Sequence, residues 1–129
     1  MNILLASAEV APFAKAGGLA DMTASLPLEW SKFGQNSIVV MPKYGFIDVY
    51  KYGFRPTDIT IVVPMGNWEE YARLWEGYLP NSHVPVYLIE HNLYYDRNGI
   101  YGDPNEYADN DRRFMFLSRA VFEVAKALN

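Results

Sequence analysis

Glu9-Val10-Ala11-Pro12-Phe13-Ala14-Lys15-Ala16-Gly17-Gly18-Leu19-Ala20-Asp21 stands between a continuous apolar run, Asn2 to Ala8, and an amphipathic run that reaches Phe33. Ile3-Leu4-Leu5-Ala6 shows no polar alternation and reads as a strand covered on both faces, as in a parallel sheet flanked by helices. From Gly18 onward, Leu19, Met22, Leu26, Trp30 and Phe33 recur at helical spacing. This predicts one buried stripe ending near Gly34, with a bend at Pro27, which has no N–H to donate. Between strand and helix lies a glycine turn carrying one lysine. Such a turn suits an anion, because the first amides of a helix lack intrahelical partners and the helix dipole is positive there. The stretch therefore predicts a strand, a phosphate-receiving turn at Lys15, and a helix.

Working outward, Asn36 to Pro42 is a second β-branched strand stopped by proline, so residues 2 to 41 form one right-handed βαβ unit. Lys43 to Arg55 has aromatic residues without a clean period and reads as an irregular, partly packed loop. Ile59–Val63 and Tyr71–Trp75 flank Met65-Gly66-Asn67 and predict a half-exposed hairpin. Val84 to Glu90 is a third buried strand, whose carboxyl end delivers His91 and the loop Asn92 to Tyr107. Asp109 or Asn110 caps a last helix with Phe114, Leu117, Val121, Val124 and Leu128 on one face. The element order is that of an α/β fold, an incomplete doubly wound, Rossmann-like parallel sheet with a β-hairpin insertion, all within 1–129. In the strand order 3-2-1-4-5-6, the strand covering the far edge of the first strand follows the helix that ends at Asn129. The first strand, expected to be central, is left with an open edge, an aggregation hazard. The expectation is that these residues are the amino-terminal part of a longer protein.

Composition removes several function classes. The absence of cysteine excludes disulfide frameworks, thiolate zinc sites and cysteine nucleophiles. A net charge of −4 and a pI near 5.1 oppose nucleic acid and anionic lipid as partners, so any anion site is local. Met1 to Leu5 lacks a basic n-region, and the following run is broken by Glu9 and Pro12, which fits neither a signal peptide nor a membrane span. The expected location is cytoplasmic. Aromatic residues make up 16% of the chain, more than an ordinary core needs, and sugar-binding surfaces use aromatic faces, although packing accounts for most such residues.

No G-x-G-x-x-G, Walker lysine motif or H-E-x-x-H is present, so the commonest dinucleotide, nucleotide and zinc-hydrolase readings lack their fingerprints. Asp109-Asn110-Asp111 has the D-x-D spacing used to hold a divalent cation on a diphosphate, but here it opens an amphipathic helix, where capping is the simpler role. Ser7-Ala8-Glu9-Val10-Ala11-Pro12 followed by Lys15-Ala16-Gly17-Gly18-Leu19-Ala20-Asp21 resembles the amino-terminal signature of bacterial glycogen synthases and plant starch synthases. Later segments agree in order: Met41-Pro42-Lys43-Tyr44, Leu93-Tyr94-Tyr95-Asp96-Arg97-Asn98-Gly99-Ile100-Tyr101-Gly102, and Asp109-Asn110-Asp111-Arg112-Arg113-Phe114. Asn98 departs from the proline that many relatives carry in this loop.

The resemblance implies the amino-terminal domain of a GT-B glycosyltransferase, a retaining enzyme that extends α-1,4-glucan from ADP-glucose, or sometimes UDP-glucose, without a metal or cofactor. It implies that Lys15 and the Gly17 and Gly18 amides face the donor diphosphate, while Glu9, Asp21 and Tyr95 line the cleft near the sugar or acceptor. The carboxy-terminal domain that holds much of the nucleotide and the catalytic machinery is missing, so no residue here is assigned a catalytic role and the isolated chain is expected to be inactive. Each residue also has a plain structural role open to it. Gly17 and Gly18 can serve close packing of helix on strand, Asp21 the helix dipole, Glu9 a solvated strand end, and Tyr95 loop packing. His91 suits an ordinary loop position and His83 a surface turn. The alternative class is a non-catalytic α/β ligand-binding or interaction module on the same scaffold, separated from the enzyme by whether the intact gene product incorporates glucose into glycogen.

Overall fold

The computed structural model describes residues 1–129. Its elements are β1 (Asn2–Ala6), α1 (Gly18–Lys32), β2 (Asn36–Pro42), β3 (Arg55–Met65), β4 (Trp68–Tyr78), β5 (Pro85–Glu90), α2 (Asn92–Tyr95) and α3 (Asn110–Leu128). They build one sheet of order β1-β2-β5-β4-β3. β1, β2 and β5 run parallel, with Leu4 opposite Ile38 and Val40 opposite Tyr87. β4 is antiparallel to β5 and β3 to β4, so the predicted hairpin joins the sheet and adds two strands beyond β5. The β-branched run at Ile38–Val40 and the apolar run at Val86–Ile89 explain the central strands, because both faces there are covered by helix or loop.

β1 pairs with β2 along one edge and with nothing along the other, the open edge that the sequence order predicts. Its apolar residues Ile3, Leu4 and Leu5 are half-buried, less than the doubly covered strand expected from an unbroken apolar run. A single paired neighbour leaves that much of the strand accessible. Core side chains concentrate instead on β2, β4 and β5, where Val39, Val40, Met41, Leu74, Val86, Leu88 and Ile89 are fully enclosed.

The helices depart from expectation in one respect each. α1 is a single element through Pro27, but its buried face is Ala20, Thr23 and Pro27, while Leu19, Met22 and Phe33 are exposed. Small residues let α1 approach the sheet closely, and Thr23 Oγ1 donates to the Glu9 carbonyl at 2.6 Å, fixing that approach. The large apolar residues therefore fall outside the contact. α3 packs the expected Phe114, Leu117, Val121, Val124 and Leu128 on the core, and adds Phe116, Ala120 and a fully buried Arg113. The Arg113 guanidinium donates to the Tyr94 carbonyl at 2.6 Å and to the Ile100 carbonyl and Asn110 Oδ1 at 2.8 Å. It fastens the loop after β5 to the start of α3. Lys43 to Phe54 is irregular but packed, burying Tyr44, Ile47, Val49 and Phe54. No helix is long and apolar enough to cross a membrane.

Candidate functional site

In an open parallel sheet, ligands gather beyond the carboxyl ends of the strands. The turn after β1 and the loop after β5 both lie at that end. Between them is a cavity of about 410 Å³, lined by Lys15 and Ala16 from the turn, Phe46, and the loop residues Asn98 to Gly102 and Pro104. A slightly larger depression, about 440 Å³, lies at the opposite end of the sheet beside Asn2, Asn36, Leu128 and Asn129. Strand direction favours the first, where the turn before α1 and the Lys15 ammonium accompany the concavity.

Lys15 Nζ lies 2.7 Å from Asp21 Oδ2 and 3.0 Å from Oδ1, with both side chains more than half exposed. Such a pair adds at most about 1 kcal/mol to stability, so its effect is chiefly to hold the ammonium beside the turn. Asp21 therefore has a definite partner besides the helix dipole.

The glycines are informative through what surrounds them. A methyl group added at Gly17 or Gly18 would meet nothing within 4 Å. Gly17 has an extended backbone, φ −161°, open to any residue. Neither close packing nor backbone geometry demands glycine here, which removes the packing role open to them from sequence. The N–H groups of Gly18 and Leu19 make no hydrogen bond, as the first donors of a helix lack intrahelical acceptors. The Gly17 amide is not free: with that of Ala16 it donates to Glu9 Oε1, at 3.0 and 2.9 Å. The donors open to a ligand are thus Gly18 and Leu19 rather than Gly17.

Glu9 is only 5% exposed, unlike the solvated strand end that its position permits. Its second oxygen, Oε2, accepts from the Tyr101 hydroxyl at 2.6 Å. Burial pushes its pKa up, but the hydrogen bonds from Tyr101, Ala16 and Gly17 outweigh that and hold the carboxyl below its ordinary value. Tyr101 responds in the opposite sense: burial and the neighbouring carboxylate push its phenol up to about 12.

Tyr95 stands apart from this group. Its ring is fully buried and its hydroxyl donates to the Arg113 carbonyl at 2.8 Å, while burial raises its pKa far above the ordinary phenol value. Its position after a strand end led toward the cleft, but α2 turns the ring into the core, against Tyr44 and Phe116. His91 also belongs elsewhere. Its Nε2 meets Glu70 Oε1 at 2.8 Å, its ring stacks on Tyr94 at 4.0 Å, and it lines a separate depression beside Asn92 and Leu93. Asp109 precedes α3 as expected of a cap residue, but its carboxylate receives both Arg97 terminal nitrogens at 2.7 Å instead of capping the helix.

Tyr101 is the site residue that the sequence reading missed. It lies 92 positions from Glu9, and only the folded loop brings the two together. Gly99 and Gly102 make that loop possible, since a Cβ at the first would overlap the Gly102 carbonyl and one at the second the Asn105 carbonyl.

Comparison with known proteins agrees with this fold. A family model described as the starch synthase catalytic domain matches residues 2–129. Glycogen synthase 1 of Geobacter metallireducens is 46% identical over 130 residues, and that of Geobacter sulfurreducens 48%, each across 99% of this chain. The chain spans about a quarter of the length of these relatives, 26% in both cases. The catalytic domain of starch synthase IV from Arabidopsis thaliana, solved with ADP and acarbose bound, superimposes with a TM-score of 0.80 at 28% identity, covering 95% of this chain and 24% of that one. The mixed sheet, the glycine turn and the match across residues 2–129 establish that this chain belongs to the starch synthase catalytic domain family.

Proposed function

We propose that this chain forms one wall of the sugar-nucleotide cleft of a retaining glucosyltransferase, which moves glucose from ADP-glucose to the non-reducing end of an α-1,4-glucan. In this reading a second domain completes the cleft, the isolated chain is inactive, and the enzyme works in the cytoplasm. The observation that carries it is the turn itself: two glycines that nothing in the chain requires, free amides at Gly18 and Leu19, and Lys15 beside them at the carboxyl end of a parallel sheet. Glucosyl transfer builds negative charge on the departing diphosphate. Fixed donors aimed at that group stabilise the transition state more than the ground state, and an ammonium supplies the charge without a metal. Lys15 and the Gly18 and Leu19 amides take that role, with Asp21 orienting Lys15. Glu9 shapes the turn, and Tyr95 supports the opposite loop from the core.

The test is Lys15→Ala in the full-length enzyme, followed by incorporation of glucose from ADP-glucose, and separately from UDP-glucose, into glycogen. Loss of a preorganised donor to the leaving group predicts a fall on the order of 10² in rate. Unchanged kinetics sinks the role of Lys15. Donor binding without any incorporation by the unmodified protein favours the non-catalytic module instead.

A further inference from the structure

The glycine turn and the Asn98–Gly102 loop are opposite sides of one cavity, and a single carboxylate joins them. Glu9 Oε1 holds the Ala16 and Gly17 amides and Oε2 holds the Tyr101 hydroxyl. The strap is anchored at both ends. Behind Glu9, its carbonyl accepts from Ser7 Oγ at 2.8 Å and Thr23 Oγ1 at 2.6 Å, which ties it to α1. Behind Tyr101, its carbonyl accepts from Asn110 Nδ2 at 2.8 Å and the Tyr107 amide at 3.0 Å, while Asn110 Oδ1 meets the buried Arg113. The Tyr101 ring rests on Phe114, with centroids 5.7 Å apart. One continuous path of hydrogen bonds therefore runs from the start of α3 to the start of α1.

From this arrangement we infer that Tyr101 is a positioning residue for the donor diphosphate, setting the separation of the two cleft walls through Glu9. The inference rests on the reading of the turn given under Proposed function. Glu9 is unsuited to touch the diphosphate itself. Two like charges would repel in a low-dielectric cleft, and its oxygens are already engaged by three donors in a nearly solvent-free setting. What Glu9 does instead is neutralise part of the helix N-terminus internally. The amides of Ala16 and Gly17 are held back, and those of Gly18 and Leu19 are left for the ligand. Tyr101 fixes the direction of that carboxylate. Without its hydroxyl, the carboxylate keeps its bonds to the turn but loses its tie to the opposite wall.

The test uses the full-length enzyme carrying Tyr101→Phe, Glu9→Gln, Glu9→Ala and Lys15→Ala, with kcat and KM measured for ADP-glucose and for glucan and thermal midpoints recorded in parallel. Tyr101→Phe keeps the ring on Phe114 and removes one hydrogen bond to a charged acceptor, so kcat/KM for ADP-glucose falls roughly tenfold, with the KM for glucan within about twofold of wild type. Glu9→Gln retains an oxygen for the two amides and loses less than Glu9→Ala. A lowered thermal midpoint with unaltered donor kinetics in Tyr101→Phe overturns the inference, since a merely structural bond would do just that. Equal losses in Glu9→Gln and Glu9→Ala also overturn it, because they would make the carboxylate charge, not the strap, the working feature. Lys15→Ala separates the two levels. If it slows the reaction while Tyr101→Phe does not, the strap alone is wrong; if Lys15→Ala is silent, the reading of the turn fails first.

Discussion

Replacing Gly18 with alanine separates the stability of this fold from its proposed function. The added methyl enters open space, with nothing within 4 Å, at the first position of α1. Alanine there is a better helix former than glycine and leaves the unfolded chain fewer conformations to lose, together a gain of about 0.4–1 kcal/mol. The fold therefore becomes slightly more stable. Function moves the other way. On the proposed reading the methyl stands where a phosphate approaches the Gly18 and Leu19 amides, and displacing a bound group by about 1 Å from its productive position costs on the order of 10² in rate. The assay is a pair of measurements on the full-length protein: its thermal midpoint, and steady-state incorporation of glucose from ADP-glucose. A midpoint held or raised, with activity cut by about two orders of magnitude, is the expected outcome. A lowered midpoint would show that the glycine serves packing after all. Full activity would show that no ligand approaches this backbone.

Gly99→Ala should do the reverse, since its Cβ overlaps the Gly102 carbonyl oxygen, and forcing the loop open costs at least about 1–3 kcal/mol; denaturant unfolding that matches wild type would contradict this. Tyr95→Phe removes the hydroxyl's bond to the Arg113 carbonyl, which keeps its place in the α3 ladder, and should cost about 0.5–1.5 kcal/mol in stability, with the KM for ADP-glucose unchanged; a raised KM with no stability loss would return Tyr95 to the cleft. Acid should destabilise the protein more than an ordinary count of surface carboxylates implies. Hydrogen bonds hold Glu9 and Glu70 below their ordinary values against the opposing effect of burial, and the Arg97 bond does the same for Asp109. All three folded values lie below the unfolded ones, so their contribution is complete above the ordinary carboxylate range and is lost as pH falls through it. Glu9→Gln should flatten the stability–pH slope below about pH 4.5, the ordinary glutamate value, and an unchanged slope would exclude Glu9 as a contributor.

The parts of the fold that could be read from sequence are those set by local pattern. Unbroken apolar runs rich in β-branched residues mark β2 and β5, and the βαβ order places β2 beside β1 and leaves the other edge of β1 open. The buried face of α1 escaped because periodicity counts large apolar residues, whereas this helix touches the sheet through Ala20, Thr23 and Pro27. Small residues at a close contact carry little hydropathy signal. The same division holds at the site. Lys15, Gly17, Gly18 and Asp21, the candidate residues of the turn, lie within seven consecutive positions and stand out as a motif. Tyr101 does not, because its partner Glu9 is met only across the folded cavity, and no spacing rule connects positions 92 residues apart. Tyr95 misled for a related reason: the end of a strand points to a ligand, but the four-residue α2 that turns its ring inward has too little length to declare itself.

The internal placement of Glu9 limits what the turn can hold. With two amides committed to that carboxylate and the Lys15 ammonium already shared with Asp21, the wall offers a short inventory of donors: two N–H groups and what Lys15 has to spare. A diphosphate presents more acceptor lone pairs than these can fill. On the proposed reading, the turn is matched to one phosphoryl group, and this wall alone should hold free ADP weakly. On that reading, discrimination between one nucleoside and another comes from contacts made on other surfaces, and this turn recognises charge and shape that all sugar nucleotides share.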